Sequence, residues 1–291
     1  MNTLKRVVHA RAQMQSFLVS CTPVMNGMSS RDRGMVRLLS RPGRSRRFAK
    51  VIERISPKAS TILDLGCGVG ALTTRLAVKF PSSLIVGVDK SKYLLQRFHR
   101  KGIASTVLAD IPNLPFKEDV FDVAIAIQVL HEIVSLRDTN TLIRTLENIH
   151  NSLGSGGEFI LFDHVSPGDK PVLIRFSDSM LAKLREFQTK FKHRKVTCQD
   201  RGEGLISISI RDFYDFLTKI WALNTDLEEE EMNETHTPFT RQELKDYLLK
   251  AGFKVEQALG YNTTPVRPRK GITLQSKVKF PDRQIVLLAR K

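Results

Sequence analysis

Three glycines at alternate positions, Gly66, Gly68 and Gly70, follow the apolar run Ile62-Leu63-Asp64-Leu65. Bare backbone at this spacing, between a strand and a helix, lets a nucleotide-bearing ligand approach the chain closely. A triphosphate loop needs GxxxxGK[ST], and no Lys-Ser/Thr pair follows Gly70. A dinucleotide fingerprint can be laid on Gly66, Gly68 and Ala71, but Asp64 stands two residues before the first glycine. A carboxylate there would repel a pyrophosphate. It suits a ligand with an ammonium group and a sulfonium, and S-adenosylmethionine carries both charges and no phosphate.

Other candidates follow at regular distances. Asp89, in Gly87-Val88-Asp89-Lys90-Ser91, can accept from two ribose hydroxyls, or cap the next helix. Asp110, in Ala109-Asp110-Ile111-Pro112, can accept from an adenine amino group while Ile111 covers the ring. Gln128 and His131 follow the fourth apolar run. Cys67, between the glycines, is read as a small space-filler and not a nucleophile. His131, His164 and His236 are the candidate bases, required only if a hydroxyl or carbon acid is the group attacked. For each of them a structural role is the alternative. No metal site is expected: Cys21, Cys67 and Cys198 form no CxxC pair and suggest neither zinc nor a disulfide framework.

The elements that must position these residues alternate. Strands are expected at 61–65, 84–89, 104–109, 121–126 and 157–162, with helices at 72–80, 91–101 and 139–153 between them. This pattern predicts an α/β, Rossmann-like, doubly wound sheet with its ligand at the carboxyl ends of the strands. Over 164–237 the alternation stops. Leu173, Phe176, Met180, Leu184, Phe187 and Phe191, then Phe213, Phe216, Leu217, Ile220 and Leu223, predict two amphipathic helices. With Trp221, the phenylalanines of this helical cap suggest an apolar or partly aromatic acceptor, or simply cap packing. The acidic stretch 226–234 precedes His236. Thr240 and Glu243 form a capping box for a last helix, and strands at 253–260 and 284–289 close the sheet. Four segments result: a basic arm (1–54), a cofactor-binding core (55–163), a helical cap inserted after the fifth strand (164–237) and a closing segment (238–291).

Together ILDLGCGVG, GVDKS, ADIPNLPF and FDVAIAIQVLHEI resemble the class I S-adenosylmethionine-dependent methyltransferases, in the branch with small-molecule and quinone-biosynthesis enzymes. The resemblance covers residues 55–163 and, more weakly, 238–291. It implies a seven-stranded sheet whose last strand runs antiparallel. It also implies cofactor contacts at Asp64, Gly66, Cys67, Gly68, Asp89, Lys90, Asp110, Ile111 and Gln128. The function it implies is methyl transfer to oxygen or carbon of a small or lipid-like acceptor. The alternatives are an RNA- or protein-directed enzyme docking through its basic arm, or an assembly factor that binds the cofactor without turnover.

Charge bears on those alternatives. The net charge is +16, yet residues 55–163 are neutral, and residues 1–54 hold twelve Lys/Arg against two Asp/Glu. Such a flank can meet an anionic substrate, nucleic acid or a membrane surface, with Arg44, Arg46 and Arg47 nearest the core. Against nucleic acid, Ile127-Gln128-Val129-Leu130 stands where base-amine enzymes carry Asn/Asp-Pro-Pro-aromatic. Cys198 follows Thr197, not the proline of cytosine-C5 enzymes. No apolar run approaches the ~18 residues of a membrane span. A cytoplasmic protein is expected; the basic, acid-free first 30 residues would equally suit an organelle transit peptide.

Overall fold

A computed structural model describes residues 30–39, 45–99, 104–261, 270–275 and 281–291. Among the described residues two helices come first, α1 (Ser30–Leu39) and α2 (Ser45–Ile52). The alternating core follows: β1 (Thr61–Leu65), α3 (Ala71–Lys79), β2 (Leu84–Asp89), α4 (Lys92–His99), β3 (Ser105–Leu108), β4 (Phe121–Ile127), α5 (Leu130–Leu136), α6 (Thr139–Ser152) and β5 (Leu153–His164). Next lie β6 (Pro171–Phe176), α7 (Asp178–Lys190), β7 (Cys198–Asp200), β8 (Leu205–Ser209), α8 (Ile210–Lys219) and α9 (Glu228–Asn233). The chain ends with α10 (Arg241–Lys250), β9 (Lys254–Tyr261), β10 (Ile272–Leu274) and β11 (Gln284–Arg290).

The main sheet has seven strands in the order β3-β2-β1-β4-β5-β11-β9. Strands β1 to β5 pair in parallel, and β11 runs antiparallel to both β5 and β9. Order reverses between β1 and β4, so a cleft opens beyond the carboxyl ends of those strands. Both sheet faces are covered, which is why its strands are apolar on both sides. Leu63 and Leu65 face one layer with α5, α6 and α10, whereas Ile62, Ile85 and Val123 face the other with Phe48 and Val51 of α2 and Leu72 and Leu76 of α3. The end of the basic arm is therefore part of the core. Residues 1–29, including Cys21, and 40–44, including Arg44, lie outside the described residues.

The cap differs from the all-helical expectation. It contains α7, α8 and α9, but also a four-stranded sheet in the order β10-β6-β8-β7. Leu173 and Phe176 belong to β6, where Val172, Ile174 and Phe176 alternate inward and Leu173 points out, 39% exposed. Phe176 satisfies both a period of two and a helical spacing with Met180, so the residues alone could not separate them. The edge strand β10 comes from the closing segment and pairs with β6, so the cap is built from both sides of the chain's return to the core. Phe176, Phe187, Phe191, Phe213 and Phe216 are buried in the cap's own core. They pack the cap and do not line the cleft; Trp221 does. Among the described residues no helix is long and apolar enough to cross a membrane.

Candidate active site

A cavity of about 1380 Å³ lies beyond the carboxyl ends of β1, β2 and β4, between that edge of the sheet, α1 and the cap. Gly66, Gly68, Asp89, Lys90, Asp110 and Ile111 line it at the sheet end. Gln128, His131, His164 and His236 line it under the cap. Met35 and Leu39 of α1, with Leu217 and Trp221 of the cap region, form its apolar walls, and Arg46 and Arg47 also reach it.

The glycine turn is held by its backbone. The amides of Gly66 and Cys67 both donate to the Val88 carbonyl, at 2.8 and 2.9 Å. Gly66, Gly68 and Gly70 have φ of +71°, +54° and +74°, the left-handed region that favours glycine. A Cβ at Gly66 would stand 2.5 Å from Val129 Cγ2. Asp89 fixes the next turn: Oδ2 accepts from the Gly68 amide and Oδ1 from the Ser91 amide, both at 2.8 Å. Bare backbone backed by a carboxylate at a sheet switch point fits a nucleoside whose ribose hydroxyls meet Asp89 and whose methionine end meets the turn.

Two expected contacts are corrected. Asp64 is still within the sheet, paired with Gly87 and Ile125, and is 2% exposed. It does not line the cavity; Thr73 Oγ1 donates to its Oδ2 at 2.5 Å, tying β1 to α3. Burial first, then the like charge of Asp89, raises its carboxyl to about 7, partly offset by the Thr73 hydrogen bond. The Cys67 side chain also turns inward, packing against Leu95 and Phe98, and burial pushes its thiol well above the usual range. Asp110 meets the Arg137 guanidinium across the rim, a partly exposed pair. Lys90 Nζ lies 3.8 Å from Glu132 Oε2.

Under the cap, the three histidines expected separately converge. The His131 and His164 ring centroids are 5.1 Å apart and edge-on, and His131 and His236 are 5.3 Å apart. His164 and His236 stack at 4.4 Å. Asp163, fully buried at the end of β5, organises the group. Its Oδ2 accepts from the amides of Val129, Leu130 and His131, while Oδ1 accepts from His131 Nδ1 at 2.6 Å and the His164 amide at 2.7 Å. Burial opposes charge on His131, but the Asp163 carboxylate outweighs it and raises the ring to about 9. Burial, then the neighbouring histidines, pushes His164 well below its usual value; burial, then Lys219, does the same to His236. Gln128, at φ +56°, brings Nε2 to 2.6 Å from His164 Nε2.

His236 is presented by the cap. Asp215 of α8, fully buried, accepts from the hydroxyls of Thr235 and Thr237, the His236 amide and Arg194. The Thr235 amide donates to Ser135 Oγ of α5, joining cap to core beside the histidines. Two acids of the 226–234 stretch turn inward: Glu231 and Glu234 reach Lys219 Nζ, at 3.0 and 3.5 Å, and Lys219 is fully buried. Asp163, Asp215 and Lys219 escaped the sequence reading. Burial of a charged residue depends on partners distant in the chain, and nothing local marks it.

A family model described as a methyltransferase domain matches residues 63–161. The chain is 35% identical over 105 residues to a malonyl-[acyl-carrier protein] O-methyltransferase of Legionella pneumophila. It is 31% identical over 118 residues to a 2-phytyl-1,4-naphtoquinone methyltransferase of Nostoc punctiforme, across 38% of this chain and 49% of that one. The first match covers 35% of each chain, so it spans about a third of that relative's length. An S-adenosylmethionine-dependent methyltransferase from Mesorhizobium loti shares the fold, with a TM-score of 0.52 at 19% identity over 84% of this chain and 96% of that one. Glycine turn, strand order and family match agree over the same segment: residues 63–161 carry a methyltransferase domain, and the sheet around them has the fold of the Mesorhizobium loti enzyme.

Proposed function

We propose that the protein transfers a methyl group from S-adenosylmethionine to oxygen or carbon of a small or lipid-like organic acceptor bound under the cap. The observation that carries this is one continuous cavity with the glycine turn and Asp89 at one end and the histidine group at the other. The cofactor, when bound, supplies a methyl carbon on a positive sulfur. Gly66, Gly68, Asp89, Asp110, Ile111 and Gln128 hold it, while Leu217, Trp221 and α1 exclude water. The new bond forms from an acceptor lone pair as the carbon–sulfur bond breaks, its electron pair staying on sulfur.

The acceptor's proton leaves toward the histidines. His131, held as a cation by Asp163, favours negative charge developing on the acceptor, while His164 and His236, kept neutral by burial, offer only weakly basic nitrogens to the proton it loses. This divergence among neighbouring rings supports acid–base work better than a structural role for all three. Trp221, Leu217 and Leu136 on the wall favour an apolar acceptor, and Arg46 and Arg47 an anionic group on it.

The test is calorimetric titration of S-adenosylmethionine and its demethylated product into wild type and Asp89→Ala. Micromolar binding, weakened at least about tenfold in the variant by loss of a charged hydrogen-bond acceptor, is expected. Binding of NAD in place of either ligand would sink the reading. Transfer of labelled methyl to an extractable small molecule then identifies the acceptor.

A further inference from the structure

One nitrogen from each of His131, His164 and His236 lies within 4.8 Å of the other two. We propose that these three rings bind a divalent transition-metal ion of the zinc type, with the Glu234 carboxylate as a fourth ligand. The sequence suggested no metal site, because the three histidines share no motif spacing and meet only through the fold.

The donor chemistry suits such an ion. Imidazole nitrogens with one carboxylate select borderline divalent metals over calcium or magnesium, which take oxygen. Glu234 groups with His131 and Glu132 on one side, and with Glu231 and His236 on the other. It is thus the carboxylate common to two of the three rings. Tetrahedral binding at 2.0–2.1 Å requires ligand atoms about 3.3 Å apart. The stacked His164 and His236 rings must therefore tilt together, a small movement for side chains at a cavity wall.

Two further observations point to a ligand. His236 Nδ1 is buried without a hydrogen-bond partner, a state that costs free energy unless something accepts its lone pair or proton. Its Nε2 lies 3.5 and 3.6 Å from Glu234 and Glu231. In addition, His131 gives Nδ1 to Asp163 at 2.6 Å, the arrangement in which a carboxylate orients a ring and leaves Nε2 to a metal. The carboxylates of Asp163, Glu132, Glu231 and Glu234 surround the rings, offset by Lys219 and by Arg47 and Arg283 on the cavity wall.

An ion here faces the same cavity as the glycine turn, and an acceptor hydroxyl that took the place of Glu234 on it would be acidified. With the ion bound, the three rings have given their lone pairs to it and cannot take a proton. The proton of an acceptor hydroxyl would pass to cavity water instead, leaving the oxygen lone pair for the carbon. That role rests on the methyl-transfer reading above; the binding of the ion does not.

The test uses the full chain, stripped with chelator, then titrated with cobalt(II) chloride and competed with zinc chloride. Saturable visible ligand-field absorption, bleached by zinc, is expected. His164→Gln and His236→Gln should each weaken binding at least about tenfold. His193→Gln, outside the cluster, should bind as wild type, and circular dichroism confirms that each variant is folded. Absence of saturable cobalt binding in wild type overturns the proposal. So does equal binding by folded His164→Gln, His236→Gln and wild type. S-adenosylmethionine is titrated in parallel. Cofactor binding without metal binding refutes the metal site alone, and metal binding without cofactor binding supports the site while refuting the methyl-transfer reading.

Discussion

Asp64 shows how one residue's surroundings set its role. An acid at the end of β1 reads from the sequence as a ligand contact, yet strand pairing on both sides buries it behind the glycine turn. Its folded pKa of about 7 lies above the ordinary value of 3.8. Between these values the unfolded chain has released a proton that the folded chain keeps, so stability falls as pH rises from about 4 through about 7. In the absence of cofactor, wild type should lose about 3 kcal/mol between about pH 5 and pH 8 relative to Asp64→Asn, from the ordinary cost of one pKa unit. Urea unfolding at the two pH values measures this, and parallel profiles would refute it. Gln128 carries the opposite message. Its positive φ is a strained conformation for a residue with a side chain, of the kind that collects at functional sites. Here it directs the amide to His164.

Elements with local signatures were read correctly, whereas those specified by distant partners were not. The capping box of α10 is present in both halves: Thr240 Oγ1 accepts from the Glu243 amide and Glu243 from the Thr240 amide. Thr240→Ala should cost about 1 kcal/mol in denaturant unfolding, with no change in cofactor affinity; an unchanged midpoint would contradict this account of the helix start. The glycine turn is equally local, since three glycines after an apolar run leave few backbone solutions. Strand β6 had no such marker. Its Val172, Ile174 and Phe176 alternate over too few residues to outweigh the helical spacing that continues into α7, and the partners β8 and β10 that decide the matter lie about 30 and 100 residues onward.

At the scale of the whole molecule, charge and cavity point in different directions. The net charge of +16 invites a polyanion, but Glu229, Glu230, Glu231 and Glu234 line the cavity on the cap side. A nucleic-acid strand entering there would meet carboxylates. Binding to duplex DNA or RNA should therefore stay in the non-specific range, with Kd no tighter than about 10⁻⁶ M at physiological salt. A fluorescence-anisotropy titration giving nanomolar, sequence-dependent binding would favour the RNA-directed alternative. The cap itself joins the core through Thr235 on Ser135 and through β10 on β6, so the two ends of the cavity are parts of one packed body.

Through its likeness to a family the sequence implied an antiparallel closing strand; by itself it determined the alternating core, the glycine turn and the strand-end acids Asp89 and Asp110. Each is set by periodicity or by backbone chemistry within a few residues. Only the tertiary structure decided that the phenylalanines of the cap pack on one another, that Asp64 and Cys67 face inward, and that His131, His164 and His236 meet. Those three rings come from the start of α5, the end of β5 and the segment before α10, brought together by the buried carboxylates of Asp163 and Asp215. Long-range contacts of this kind follow from packing the whole chain, and no spacing in the sequence encodes them.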